Sequence, residues 1–473
     1  MLFNSLEFLL FFPVVTILFF LIPTRWRWLH LLIASCVFYM AFIPVYILIL
    51  VFTIFIDYWA GIFIEQSAGK RRKNFLLISI VANIGVLAVF KYYNFFIGNV
   101  NGLLGLSNGN ALPFLHIILP IGLSFHTFQA MSYTIEVYRG NQSAEKHFGI
   151  YALYVMFYPQ LVAGPIERPQ NLLWQFRARQ GYDIERIFEG LKQMLWGLFK
   201  KVVIADRLSL YVNDVFNAPR DWAGPNLALA TVFFAIQIYC DFSGYSDMAI
   251  GSAKVMGFKL MTNFNRPYFA KNIQEFWKRW HISLSSWFRD YVYISLGGNR
   301  VAQWRMYVNI AIVFVLSGLW HGANWTFIVW GAFHAFLIIS YMLYKKYISP
   351  KSRQTWVGDA VSMLLTFFVV CIGWIFFRAS NVHDAMIVLS KIFNGSWSNV
   401  SLYNSTGEVE FGMASLVVSM IAIFIMLAAE SRQHWQLYLN KRPVPDVLFN
   451  AMILFIVISL GVFQKTSFIY FQF

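Results

Sequence analysis

The sequence predicts an all-α, polytopic membrane protein, and three observations carry that reading. Of 473 residues, 59% are hydrophobic and only 12% charged, about half the roughly 25% charge of soluble domains. Mean hydropathy is +0.58. The apolar residues also fall in long runs, at 9–21, 43–55, 75–90, 416–428 and 447–462, and several approach the roughly 20 residues that cross a bilayer. So few charges cannot clothe a water-facing surface of this size.

Taken in order, the expected spans lie at roughly 5–22, 28–44, 46–64, 75–97, 113–138, 148–163, 188–205, 227–257, 306–322, 325–344, 357–377, 412–430 and 446–463. That is on the order of 11 to 13 helices by the length rule, several of them short or broken. The first run has no basic segment before it and no small-x-small site after it, so it reads as a retained helix rather than a cleaved signal. The net charge of +15 comes from lysines and arginines clustered between apolar runs. Such clusters suit cytoplasmic loops and anionic lipid headgroups, not nucleic acid. Arg25 and Arg27, Lys70 to Lys73, Lys345 to Arg353, and Arg432 to Arg442 place four loops inside by the positive-inside rule.

The uncharged loop 98–112 and the slightly acidic 379–411 then fall outside, as do both termini. This requires an even number of crossings, so one candidate segment between 113 and 322 does not span. The expectation is one integral domain over 1–473, with 379–411 its only sizeable hydrophilic excursion and 464–473 an extracytoplasmic tail. The bacterial cytoplasmic membrane is the expected location, with lipid its first partner. Cys36, Cys240 and Cys371 lie singly inside apolar segments and form no disulfide framework.

Charged groups inside spans are costly and so become functional candidates. In 236–251, Asp241 and Asp247 stand beside Tyr239, Ser243, Tyr245 and Ser246, while Gly244, Ser246, Ala249, Gly251 and Ala253 would let helices approach closely. Packing explains the small residues, but two buried acids exceed what packing needs. The stretch 272–293 reads as an interfacial amphipathic helix, with Phe276, Trp280, Leu284 and Trp287 on one face and Glu275, Lys278, Arg279, Arg289 and Asp290 elsewhere. His281 falls at the margin of the apolar face, where periodicity alone favours a structural histidine. His321, between Gly318 and Gly322, marks a break between two apolar helices. Irregular backbone at that depth is tolerated where it is buried in protein or lines a water-filled cavity. A neutral imidazole is the natural base for activating a hydroxyl, although a satisfied core histidine remains the plainer reading of the pattern.

Five motifs occur together and in order: Ala163-Gly164-Pro165-Ile166, Asp241-Phe-Ser-Gly-Tyr-Ser-Asp247, Asn263-Phe-Asn-Arg-Pro267, Phe276-Trp-Lys-Arg-Trp-His-Ile-Ser-Leu-Ser285 and Gly318-Leu-Trp-His-Gly322. On these residues the chain resembles the membrane-bound O-acyltransferases, in the bacterial branch that contains the membrane subunit of alginate O-acetyltransferase. The resemblance implies a ring of helices around a thin floor pierced by a tunnel. It makes His321 the catalytic residue and His281 a second functional one. It also implies a cytoplasmic acyl thioester, acetyl-CoA, as donor substrate, with no bound cofactor. A hydroxyl receives the acyl group from the other side, leading to O-acetylation of an extracytoplasmic polysaccharide.

The ending Phe468-Ile-Tyr-Phe-Gln-Phe473 suits an interfacial anchor. It is also similar to the C-terminal motif of bacterial polysaccharide acylation systems, which implies Tyr470 as an acyl carrier that passes the group to a separate extracytoplasmic acyltransferase. Trp280 and Asn324 are candidates for orienting the carbonyl, and Lys278 and Arg279 for meeting donor phosphates, with lipid snorkelling as the equal alternative. Asp241 and Asp247 are expected to organise the polar interior. No HExxH or similar spacing suggests a metal. The alternatives are D-alanyl transfer to teichoic acid and, outside enzymes, a flippase or transporter built on broken helices.

Overall fold

The computed structural model describes residues 1–106, 110–117, 119–348, 355–395, 411–431, 443–463 and 468–469. The fold is all-α, as the apolar runs require, with no strand among the described residues. Among the described residues, six helices are long and apolar enough to cross a membrane, and two shorter apolar ones accompany them. Backbone contacts divide the chain into two compact units, Met1–Met194 with Met248–Met261 and Leu195–Asp247 with Thr262–Phe473.

The first unit holds α1 (Leu6–Leu21), α2 (Arg27–Met40), α3 (Ile47–Gln66), α4 (Gly69–Leu87), α5 (Tyr93–Leu103), α6 (Leu123–Arg139), α7 (Phe148–Met156), the single turns α8 (Tyr158–Leu161) and α9 (Pro169–Leu172), and most of α10 (Ile184–Leu198). A polar knot ties α3, α4 and α6 together. Asp57 accepts from Ser79 at 2.6 Å and from Asn83 at 2.9 Å, and Ser79 meets Thr134 at 2.8 Å, all fully buried. In a lipid-facing bundle such contacts supply the specificity that apolar packing lacks. Two expected spans are interrupted. The helix foreseen over 113–138 begins only at Leu123, and that over 148–163 breaks at Phe157, which stands between α7 and α8. Pro159 opens the second piece, because it cannot supply the N–H that a continuous helix needs there.

The second unit contains α11 (Asp206–Asn217), most of α12 (Gly224–Met256), α13 (Ile273–Arg279), α14 (Ile282–Phe288), α15 (Gln303–His321), α16 (Trp325–Tyr347), α17 (Trp356–Arg378), α18 (Val382–Asn394), α19 (Met413–Ser431) and α20 (Pro443–Leu460). Asparagine or threonine caps several starts: Asn272 accepts from the Glu275 N–H, Asn324 from Thr326, Thr355 from Gly358 and Asn381 from Asp384. These caps satisfy backbone donors that no turn of helix can reach. Outward residues such as Phe424, Phe455 and Ile458 are more than two-thirds exposed, as lipid-facing side chains should be.

Two expectations need correcting in this unit. The segment 272–293 is not one amphipathic helix, because His281 adopts a left-handed conformation (φ 43°) and splits it into α13 and α14. The excursion 379–411 is not merely a loop, since α18 occupies its first half, with apolar and charged residues on different faces. Residues 396–410 lie outside the described ones.

Gly244, foreseen as a packing residue, does serve close approach, and so does Gly318, foreseen only as flanking a break. A Cβ at Gly244 would lie 2.6 Å from the Gly197 carbonyl oxygen, and one at Gly318 only 2.1 Å from that of Phe327. The second contact lets α15 and α16 meet backbone to backbone one turn below His321. Gly318→Ala should force them apart, at a cost of about 1–3 kcal/mol by overpacking. The check is a lowered thermal midpoint of the detergent-solubilised protein, with a matched alanine at an exposed α15 position unchanged.

Candidate active site

The second unit brings His281 and His321 together, each through a different local device. His321 is the last residue of α15. Gly322 ends the helix in an extended conformation, its N–H still bonded to the Gly318 carbonyl. The imidazole is buried among rings, with Trp320 at 5.0 Å, Trp330 at 5.1 Å and Phe377 at 5.2 Å between centroids. This is the break that the flanking glycines foreshadow.

His281 is held by polar contacts. Its left-handed backbone, rare outside glycine, turns the side chain toward Asn263. The Asn263 amide is oriented by its neighbours. Its oxygen accepts from the Ser283 N–H (3.3 Å) and hydroxyl (3.0 Å), while its nitrogen donates to Ser246 at 3.2 Å. The same oxygen lies 3.0 Å from His281 Nδ1. Since that oxygen can only accept, Nδ1 carries the proton, and a neutral ring then has its lone pair on Nε2. The His281 and His321 rings stand 6.5 Å apart, and Phe242 packs edge-on against His281 at 4.5 Å.

Beneath this pair lies a cluster of buried charges. The chain between α10 and α11, Phe199–Ala205, widens into a π-helix and carries Lys200 and Lys201 inward. Lys201 bridges Asp206 at 2.8 Å and Asp241 at 2.5 Å, and Lys200 meets Asp247 at 2.6 Å and Ser243 at 2.9 Å. Glu430 of α19 accepts from the Tyr239 hydroxyl at 2.8 Å, and Lys200 lies 5.6 Å from that tyrosine's ring centre. Asp241 has a second partner, the backbone N–H of Ile469, at 2.8 Å. Phe468 and Ile469 are thus buried, and the Phe468 ring packs on Tyr245 and Phe242.

The other expected residues are distributed as follows. Trp280 is buried, stacked on Phe276 at 5.6 Å and against Trp374 at 4.9 Å. Trp374 continues through Phe377 to His321. Asn324 spends its oxygen capping α16 and its nitrogen on the Ser380 carbonyl (3.0 Å). Arg279 pairs with Glu275 at 2.5 Å, whereas Lys278 is exposed. Tyr470 lies outside the described residues. Sequence reasoning missed Lys200, Lys201, Asp206, Glu430 and the role of Asn263. It also missed His334, buried 4.9 Å from Trp330 and 5.0 Å from Trp277. The lysine pair was discoverable, because two acids inside a membrane segment call for cations nearby, and Lys200-Lys201 interrupts an apolar run.

Residues 141–382 match MBOAT, the membrane-bound O-acyltransferase family. The chain is similar to the Probable alginate O-acetylase AlgI of Pseudomonas aeruginosa, 39% identical over 90% of this chain and 81% of that protein. It is 35% identical to a Peptidoglycan O-acetyltransferase of Helicobacter pylori, over 86% of this chain and 80% of that one. A Teichoic acid D-alanyltransferase of Bacillus subtilis is 28% identical over 57% of this chain and 71% of its own length.

The charge cluster makes a measurable demand. Lys201→Met strands Asp206 and Asp241 without their cation, which should cost about 3–5 kcal/mol, whereas removing charge from both sides together is far milder. Thermal melts should therefore show the triple variant Lys201→Met/Asp206→Asn/Asp241→Asn to be far more stable than the sum of its single substitutions allows.

Proposed function

We propose that this chain, which belongs to the membrane-bound O-acyltransferase family, moves an acetyl group from a cytoplasmic thioester toward hydroxyls of an extracytoplasmic polysaccharide. That it is a membrane O-acyltransferase follows from the family. The donor, the direction and the residues' roles are our reading. The observation that carries it is the buried pair of imidazoles 6.5 Å apart, each lying within one of the five motifs.

His321 acts as the base. It takes the proton of the acceptor hydroxyl as the oxygen attacks the thioester carbonyl carbon. The tetrahedral intermediate collapses with cleavage of the C–S bond, and the proton passes to the departing thiolate, leaving an ester and a free thiol. His281, with Nδ1–H committed to Asn263, offers an acceptor at Nε2. It is therefore suited to holding the hydroxyl or a protonated His321 rather than to polarising a carbonyl. Exposed Lys278 can meet donor phosphates, whereas Arg279 is already engaged by Glu275.

Tyr470 is the first acceptor in this reading, and a separate extracytoplasmic transferase carries the acyl group onward. The seating of Phe468 and Ile469 beside Phe242 and Asp241 supports it, because Tyr470 follows directly in the chain. Acetyl is favoured over D-alanyl by the longer and closer similarity to O-acetyl-transferring relatives.

Membranes supplied with acetyl-labelled acetyl-CoA should label the C-terminal peptide. His321→Ala should lower that labelling by roughly 10²–10⁴-fold, the usual weight of a general base. Unchanged labelling in His321→Ala would remove the base assignment. Normal polysaccharide acetylation by Tyr470→Phe would remove the relay and leave direct transfer.

A further inference from the structure

A second site lies within the same unit, at the end of α16 where the chain leaves His321. Here a cavity of about 380 Å³ opens between the last turns of α11 and α17 and the first turn of α16, within the range of roughly 300–1,000 Å³ typical of small-ligand pockets. Its wall reaches His321 through two rings: Phe327 lines the cavity and packs on Phe377 at 5.0 Å, and Phe377 packs on His321 at 5.2 Å.

The lining is polar in an otherwise apolar molecule. Arg378 donates through one nitrogen to the side-chain oxygens of Asn213 at 2.8 Å and Asn217 at 3.2 Å. No carboxylate pairs with it among the described residues. A guanidinium has five donors in a flat fork shaped for a carboxylate, and two amide oxygens supply no countercharge. The N-terminus of the 23-residue helix α16 also faces the cavity and favours negative charge, set against the opposite dipole ends of α11 and α17, so Arg378 is the group that decides the sign. A further observation is independent of charge. Thr326 is 1% exposed, lines the cavity, and its hydroxyl has no hydrogen-bond partner among the described residues. Buried hydroxyls are rarely left so without a ligand or water to complete them.

We propose that this cavity binds an acidic saccharide, a hydroxyl-rich ligand whose carboxylate is held by Arg378. The asparagines and Thr326 offer both donors and acceptors to sugar hydroxyls, and Phe327 offers a flat apolar wall. The further statement that this saccharide is part of the polysaccharide that finally receives the acyl group rests on the acyl-transfer reading above. The binding itself does not.

The test uses the full chain in nanodiscs of neutral lipid. The probes are a hexuronate oligosaccharide and the same oligosaccharide with its carboxyl groups reduced to alcohols, with binding followed by calorimetry. The wild type should bind the acidic form at least about tenfold more tightly, the order expected for one charge-assisted contact. Arg378→Gln should abolish that preference, and Arg378→Lys should keep part of it. Because Arg378 also faces two helix C-termini, Asn217→Asp provides a variant that keeps the guanidinium neutralised. It should lose the acidic ligand while melting like the wild type.

Equal affinity for both probes would overturn the proposal, as would acid preference surviving in Arg378→Gln. Displacement by anionic phospholipid, with no saccharide binding in its absence, would assign the cavity to a lipid headgroup instead. His321→Ala separates the two readings, since it should stop acetyl transfer and leave saccharide binding intact. Binding without any transfer in the wild type would sink the acyl-transfer reading and spare the site. Transfer without binding would do the reverse.

Discussion

The structure depends on how four carboxylates and two lysines are kept inside a chain that is 59% hydrophobic. Removing such groups from water costs several kcal/mol for each ion, and only close pairing with full hydrogen bonding offsets it. Lys201 meets this demand by bridging Asp206 and Asp241, and Lys200 by joining Asp247 and Ser243. Neither lysine would be well placed by a regular α-helix, since consecutive residues point about 100° apart. The π-helical turns of Phe199–Ala205 let both reach α12. An irregularity that weakens the local helix is thus offset by the charges it neutralises, consistent with the tendency of such widened turns to mark functional regions.

The two histidines rest on this base in contrasting ways. His321 is set by shape: glycines on either side, a helix that ends under it, and aromatic rings on three sides. His281 is set by hydrogen bonds, and its backbone accepts a left-handed conformation, costing on the order of 1–3 kcal/mol, to make them. The amide of Asn263 fixes one tautomer of His281, and Ser283 and Ser246 fix the amide in turn. Three polar residues are therefore engaged in deciding which ring nitrogen bears a proton, a detail that matters to chemistry more than to packing.

Much of the fold was legible because it follows from composition and run length. The helical class, the membrane setting and the break at His321-Gly322 all appear in the pattern of apolar residues and glycines. The split of 272–293 was not legible, because Phe276, Trp280, Leu284 and Trp287 satisfy helical spacing whether or not the helix is continuous. Only the tertiary bond from Asn263 to His281 makes the interruption worthwhile, and no local propensity reports it. The acids of 236–251 did announce a need for cations, but not which ones, since Lys201 stands 40 residues from Asp241 in sequence. Arg378 falls between the expected span 357–377 and the excursion 379–411, and nothing in its neighbourhood along the chain foretells Asn213 and Asn217 beside it.

The C-terminal residues show how the charge cluster extends its influence. Asp241 uses one oxygen for Lys201 and the other for the Ile469 N–H. A backbone N–H carried into an apolar interior without an acceptor would be costly, and a carboxylate already neutralised by lysine supplies that acceptor without introducing a bare charge. The seat therefore reads the main chain at 469, while Tyr245 and Phe242 hold the ring at 468. Phe242 is also the ring against His281, so a single side chain separates the seated tail from the candidate chemistry. The ion pair that makes Asp241 tolerable in the interior is thus the same one that lets it hold Ile469, next to the Phe468 ring that packs on the neighbour of His281.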